Sequence, residues 1–235
     1  MKTRLLSLAF ALSSFTALHA QEPNEVTVFN GLDLNGWAEP HGAWSVVGGV
    51  QLSSSDPKSF EALPGQGMLL NTKSGRGIDL YSKEEFGDCE IHVEFCVTKG
   101  SNSGVYVQGR YEVQILDSYG KAKIDEHDCG AIYQRWKDNK GYEGHPPLVN
   151  ASKAPGEWQS FDIYFRAPRF NAAGEKIENG RFLKVVQNGQ VVQENVEVTG
   201  PTRGSRYVQD GPTGPIMLQG DHGPVAFRKF RVIRN

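Results

Sequence analysis

The chain has 235 residues, with 25 Lys and Arg against 27 Asp and Glu and a formal net charge of −2 at pH 7. The charges are intermixed and no basic block occurs, which argues against nucleic acid or an anionic membrane surface as a partner. Neither a Cys-x-x-Cys nor a His-x-x-x-His spacing occurs around the three cysteines, which argues against a zinc site or a nucleophilic thiol.

Met1–Ala20 has Lys2 and Arg4, then an apolar run from Leu5 to Leu18, then the polar Gln21-Glu22-Pro23. That layout predicts a secretory signal peptide, with the mature chain starting near Gln21 in the periplasm or outside the cell. No cysteine follows the run, which argues against a lipid anchor. About 215 residues remain, enough for one all-β domain over 21–235. Within Asp88–Val97, Ile91, Val93, Phe95 and Val97 share one face, and Glu90, His92 and Glu94 the other. Cys89 and Cys96 would lie roughly 23 Å apart on opposite faces of that strand and cannot pair with each other. A bridge from either to Cys129 stays open.

A turn over Lys99–Gly104 is expected next, then strands over Val105–Gln108 and Arg110–Leu116. In the second of these Tyr111, Val113 and Ile115 point one way; Arg110, Glu112 and Gln114 point the other, about 6.6 Å apart. The polar face reads either as a floor for a sugar-sized ligand or as a solvated outer face. Ser118–Pro155 is long, polar and rich in Gly and Pro, with Tyr133, Trp136 and Tyr142 among charges, and reads as a functional loop. Phe161–Phe165 follows, then a hairpin of Phe182–Gln187 and Val191–Val198 around Asn188-Gly189, a pair that tolerates positive φ. Ile216–Gln219 and Val225–Ile233 close the chain as strands. No long 3.6-residue apolar stripe occurs, and the class is all-β.

Several ordered motifs then carry a resemblance: Val28–Trp37, Gly87-Asp88 into Glu94-Phe95, Asn102–Asp117, Cys129–Tyr133, Pro155–Trp158 with Ala167–Phe170, and Leu218-Gln219 with Asp221-His222-Gly223. Together they resemble the 3-keto-disaccharide hydrolase domain family, from about Val26 to the C-terminus. The resemblance implies a concanavalin- or laminarinase-like jelly-roll sandwich of two antiparallel sheets. It also implies exported enzymes that cleave glycosides whose sugar a partner oxidoreductase has first oxidised at C3.

Laminarinase-type endoglucanases carry paired carboxylates in a Glu-x-Asp-x-Glu strand, whereas Glu112-Val-Gln114-Ile-Leu116 has one. Asp117 falls on the opposite face, so ordinary retaining hydrolysis by two close carboxyls is disfavoured. A 3-keto sugar needs less, because the ketone acidifies the hydrogen on C2 and a single base can start an elimination. Glu112 and His222 are the candidate bases. Arg110, Lys153 or a bound divalent cation would stabilise the oxyanion. Asn102, Ser103, Gln114, Tyr133, Trp136 and Gln219 are candidate sugar contacts, and Asp221 would orient His222 or cap a turn with it. Asp125–Asp128 offers cation ligands or a solvated acidic loop. The same fold without chemistry would be a sugar-binding module.

Overall fold

A computed structural model describes residues 24–72 and 77–235. The expected leader lies outside the described residues. Sixteen strands and no helix are found among them. In chain order they begin with β1 (Glu25–Val26), β2 (Trp44–Leu52), β3 (Phe60–Asn71), β4 (Leu80–Phe86) and β5 (Cys89–Val97). Next come β6 (Asn102–Val107), β7 (Tyr111–Leu116), β8 (Arg135–Lys137), β9 (Lys140–Tyr142), β10 (Gln159–Arg166) and β11 (Arg169–Phe170). The last are β12 (Lys176–Glu178), β13 (Gly180–Gln187), β14 (Gln190–Val198), β15 (Gly214–Leu218) and β16 (Val225–Arg234).

The larger sheet runs β14-β13-β10-β5-β16-β3-β2, with β1 also on β16; the smaller runs β4-β15-β6-β7. Every pairing is antiparallel. Alternation explains the stacking: Ile91, Val93 and Phe95 from the large sheet and Val105, Val113, Ile115, Ile216 and Leu218 from the small one enter a single core. Ring contacts knit it, Phe95 to Phe161 at 4.7 Å and Tyr111 to Phe165 at 5.4 Å. The fold is the expected jelly-roll sandwich.

The hairpin at Asn188-Gly189 forms with both residues at positive φ, 52° and 80°. Two of the resembling motifs meet across the large sheet, where Arg169 grips both carboxylate oxygens of Asp88 at 2.8 and 2.5 Å and the Ala167 amide donates to the same carboxylate. Other expectations shift. Asn102–Gly104 begins β6 instead of forming a turn, and Gln108-Gly109, at φ 57° and 61°, turn the chain so that Arg110 precedes β7. Strands β2 to β4 escape the sequence reading because Gly48-Gly49 sits at a bulge, much of β3 is exposed around Pro64, and β4 is a charged edge strand. Within the long loop lie the β8–β9 hairpin and Ile132, which bridges to Val113 and extends the small sheet past β7.

Candidate active site

On the face of the small sheet turned away from the core, β6 contributes Asn102 and Tyr106, β7 contributes Glu112 and Gln114, and the turn after β15 contributes Gln219 and His222. Tyr133 from the long loop and Arg203-Gly204 from the segment after β14 complete the wall of a cavity of about 200 Å³. The covering loops are fastened by backbone bonds. The Tyr133 amide donates to the Glu112 carbonyl at 3.0 Å, the Thr202 amide to the Arg110 carbonyl at 2.9 Å, and the Arg203 amide to the Gln134 carbonyl at 2.9 Å. Glu112 is therefore 2% exposed, so its face is covered and not a solvated outer face.

Space for the Glu112 carboxyl depends on its neighbour Gly104, where a Cβ would lie 2.2 Å from Oε1. Burial pushes the Glu112 carboxyl well above the usual range, and the charges of Asp79 and Asp221 push the same way. A hydrogen bond from Tyr106 would favour the carboxylate, but that hydroxyl has one hydrogen and directs it to the Arg203 carbonyl at 3.1 Å. Gly204 leaves room for that hydroxyl, since a Cβ there would stand 2.8 Å away.

His222 bonds Asp221 through Nδ1, which leaves Nε2 free. Its turn is held from several sides: Asn71 donates to the Gly220 carbonyl at 2.6 Å, the Gly220 amide to Asp79 at 3.0 Å, and Ser103 to the Gln219 carbonyl at 2.8 Å. Asn102 Oδ1, Gln114 Oε1 and Gln219 Oε1 are buried without a hydrogen-bond partner. Three such acceptors around one cavity suit a ligand rich in hydroxyls.

Of the residues singled out in the sequence, Glu112, His222, Asn102, Gln114, Tyr133 and Gln219 thus converge, with Asp221 behind His222. Ser103 points into the core side and holds the turn. Arg110 does not reach the cavity: it donates to the carbonyls of Gln209 at 2.6 Å and Thr213 at 2.8 Å and lies 4.5 Å from the Tyr207 ring. Lys153 donates to the Trp158 carbonyl at 3.0 Å and is likewise absent from the lining. Arg203 stands in the wall with its carbonyl accepting from Tyr106, while its guanidinium stacks 3.8 Å from the Trp136 ring, which borders the adjoining groove. Sequence reasoning missed Arg203, Tyr106 and Asp79. Arg203 and Asp79 come from loops whose approach to β7 is long-range, and Tyr106 alternates with valines that read as wall.

The candidate cation ligands divide. Asp125, Glu126 and His127 place ligand atoms within 4.8 Å of one another, and His127 packs edge-on against Tyr133 at 5.5 Å. Asp128 turns away to clasp the loop, accepting from Ser118 at 2.7 Å and Lys121 at 2.6 Å. All three cysteines are free and buried.

Among solved structures, a candidate glycosyl hydrolase from Parabacteroides distasonis ATCC 8503 is 29% identical, with a TM-score of 0.67 over 91% of this chain and 84% of its own. Two more candidate glycosyl hydrolases from that organism share the fold at 20% and 16% identity, with TM-scores of 0.51 and 0.52. They cover 82% and 90% of this chain, and 99% and 94% of their own. No curated protein matches. The family model for the 3-keto-alpha-glucoside-1,2-lyase-like domain matches residues 24–233, which takes in both sheets and every residue of the cavity wall. The chain belongs to that 3-keto-alpha-glucoside-1,2-lyase-like family.

Proposed function

We propose that this protein is a carbohydrate-cleaving enzyme that breaks the glycosidic bond of 3-keto-glucosides by elimination, followed by hydration. The observation that carries the reading is the pairing of a buried carboxyl with an Asp-held imidazole in one cavity lined by unpartnered amides. Family membership and the glycosyl hydrolase neighbour support the carbohydrate-active part.

His222 Nε2 takes the C2 hydrogen as a proton, and the electron pair left behind forms an enolate with the C3 ketone. The side-chain N–H groups of Gln114 and Gln219, whose backbone amides donate to the Ala131 and Gly104 carbonyls, favour the developing negative charge. As the enolate collapses, the C1–oxygen bond breaks with its electron pair, and protonated Glu112 gives its proton to the leaving oxygen. Water then adds across C1=C2. Its hydroxyl goes to C1 with a proton passing to Glu112, while C2 regains a proton from His222. The sum is hydrolysis.

Two-carboxylate hydrolysis fits less well, because Asp221 is engaged by His222 and Asp79 by the Gly220 amide and Tyr81. A sugar-binding module needs aromatics and amides but no buried carboxyl beside an Asp-held imidazole. The substrate requires prior oxidation at C3, hence an oxidoreductase acting upstream, and the Met1–Ala20 pattern supports work in the periplasm or outside the cell.

The test incubates the protein, with and without chelator, with a 3-keto-glucoside and with its unoxidised parent, following products by NMR in deuterated water. Release from the ketone alone, with deuterium at C2, is expected. Release from both substrates at similar rates would overturn the elimination, and binding without release would make the protein a lectin. The chelator arm decides whether a cation held near Asp125 takes part.

A further inference from the structure

The base stands on a turn, and proton transfer needs that turn held to a fraction of an ångström. Gly220-Asp221-His222 follows β15, and Ile78-Asp79, just before β4, is packed against it. No slack remains between them: a Cβ on Gly220 would lie 2.2 Å from the Ile78 carbonyl, and one on Gly77 would lie 1.7 Å from the Gly220 carbonyl. The Ile78 carbonyl is itself pinned by the indole N–H of Trp44 at 2.7 Å, and Trp44 is buried in the main core. Asp79 closes the joint by accepting the Gly220 amide on Oδ1 at 3.0 Å. Resting on the proposed function, we infer that Asp79 is a positioning residue for His222, braced by Tyr81 from the side of the segment after β14.

Asp79 does not line the catalytic cavity, so its hold on the reaction runs through the turn. It faces a separate groove together with Tyr81 and Arg206. There its second oxygen accepts from the Tyr81 hydroxyl at 3.4 Å. The Tyr81 ring lies 4.3 Å from the guanidinium of Arg206, whose own amide donates to the Gly109 carbonyl at 2.9 Å. Arg206 belongs to the segment that also supplies Arg203 and Gly204 to the cavity wall. The turn carrying the base and the segment covering Glu112 are therefore joined outside the cavity. A joint of this kind acts on the rate of proton transfer more than on substrate binding, since misplacement by about 1 Å is enough to slow chemistry roughly 100-fold.

The test measures kcat and KM on a 3-keto-glucoside, per folded enzyme. Asp79→Ala should lower kcat about 10- to 100-fold with KM little changed. Asp79→Asn should restore most of kcat, because its Oδ1 still accepts from Gly220 and its Nδ2 can donate to the Tyr81 oxygen. Tyr81→Leu should lower kcat about 3-fold and add nothing to Asp79→Ala, since both act through one joint. A kcat unchanged in Asp79→Ala, a loss carried by KM, or an Asn variant as slow as Ala overturns the assignment, and losses that multiply in the double variant overturn the brace. Proton–nitrogen correlation spectra of the histidine side chains give a readout that needs no turnover. With the imidazole neutral, His222 should show the Nδ1-protonated tautomer that Asp221 selects in wild type and in Asp79→Asn, and should average between tautomers in Asp79→Ala. Unchanged His222 signals in Asp79→Ala overturn the positioning role. If wild type cleaves no ketone the proposed function fails, and the spectra still decide the joint.

Discussion

At the scale of the residue, the decisive group is Glu112, because one burial event sets both its proton and its cost. Its carboxyl titrates well above its ordinary 4.5, first from burial and then from the charges of Asp79 and Asp221. The folded state therefore binds a proton that the unfolded chain has released. Stability from this group is fully present below about pH 4.5, is lost as pH rises, and levels off once the raised folded value is passed. Glu112→Gln keeps the shape and removes the titration. Its melting temperature should pull ahead of wild type progressively above that pH, while its rate on a 3-keto-glucoside falls about 10²- to 10⁴-fold. Melting curves across pH and a rate assay check both halves. Parallel melting profiles would mean that Glu112 is not held protonated.

At the scale of the element, the segment after β14 is a lid built from main chain, and Arg110 is its clamp. The guanidinium binds the carbonyls of Gln209 and Thr213, the Arg110 carbonyl receives Thr202, and Tyr111 and Lys176 hold Asp210 at 2.5 Å each. Arg203 and Gly204 lie between these anchors. Arg110→Lys keeps the charge but loses the planar fork that reaches separate carbonyls. It should cost about 1–2 kcal/mol, roughly 2–8 °C in Tm, and lower kcat/KM about 10- to 100-fold through misplacement of Arg203. Hydrogen exchange separates this from general loosening: protection should fall over residues 199–209 and hold in β5 and β10. The period-2 pattern correctly placed Glu112 and Gln114 on one face, and it misassigned Arg110 because the Gln108-Gly109 turn ends the alternation one residue earlier. Lys153 failed differently, since nothing local to Ala151–Pro155 reveals that its amine returns to Trp158.

At the scale of the whole molecule, the jelly roll was legible because period-2 strands and the Asn188-Gly189 turn are local signals, whereas the cavity closes through contacts between residues some 90 apart, such as the Glu112 amide on Thr202 Oγ1. The cysteine pairing was not legible, and the fold resolves it without a bridge. Cys89 sits in the main core at the start of β5, Cys96 in the small cluster on the other face of that sheet, and Cys129 in the long loop, which feeds its side chain into the main core where the Gln187 amide donates to its sulfur. Burial pushes each thiol up to about 12, so none is a thiolate at neutral pH. Two sheets sharing one core should open as a unit, and the cysteines report on three separate regions of it. An aromatic disulfide reagent at pH 8 should find no reactive thiol in the native protein, and reductant should leave Tm unchanged. Across a urea titration the three thiols should become reactive together, at the midpoint seen by tryptophan fluorescence. Reaction of Cys129 alone at lower urea would mean that the long loop opens independently of the sandwich, and with it the wall that carries Tyr133.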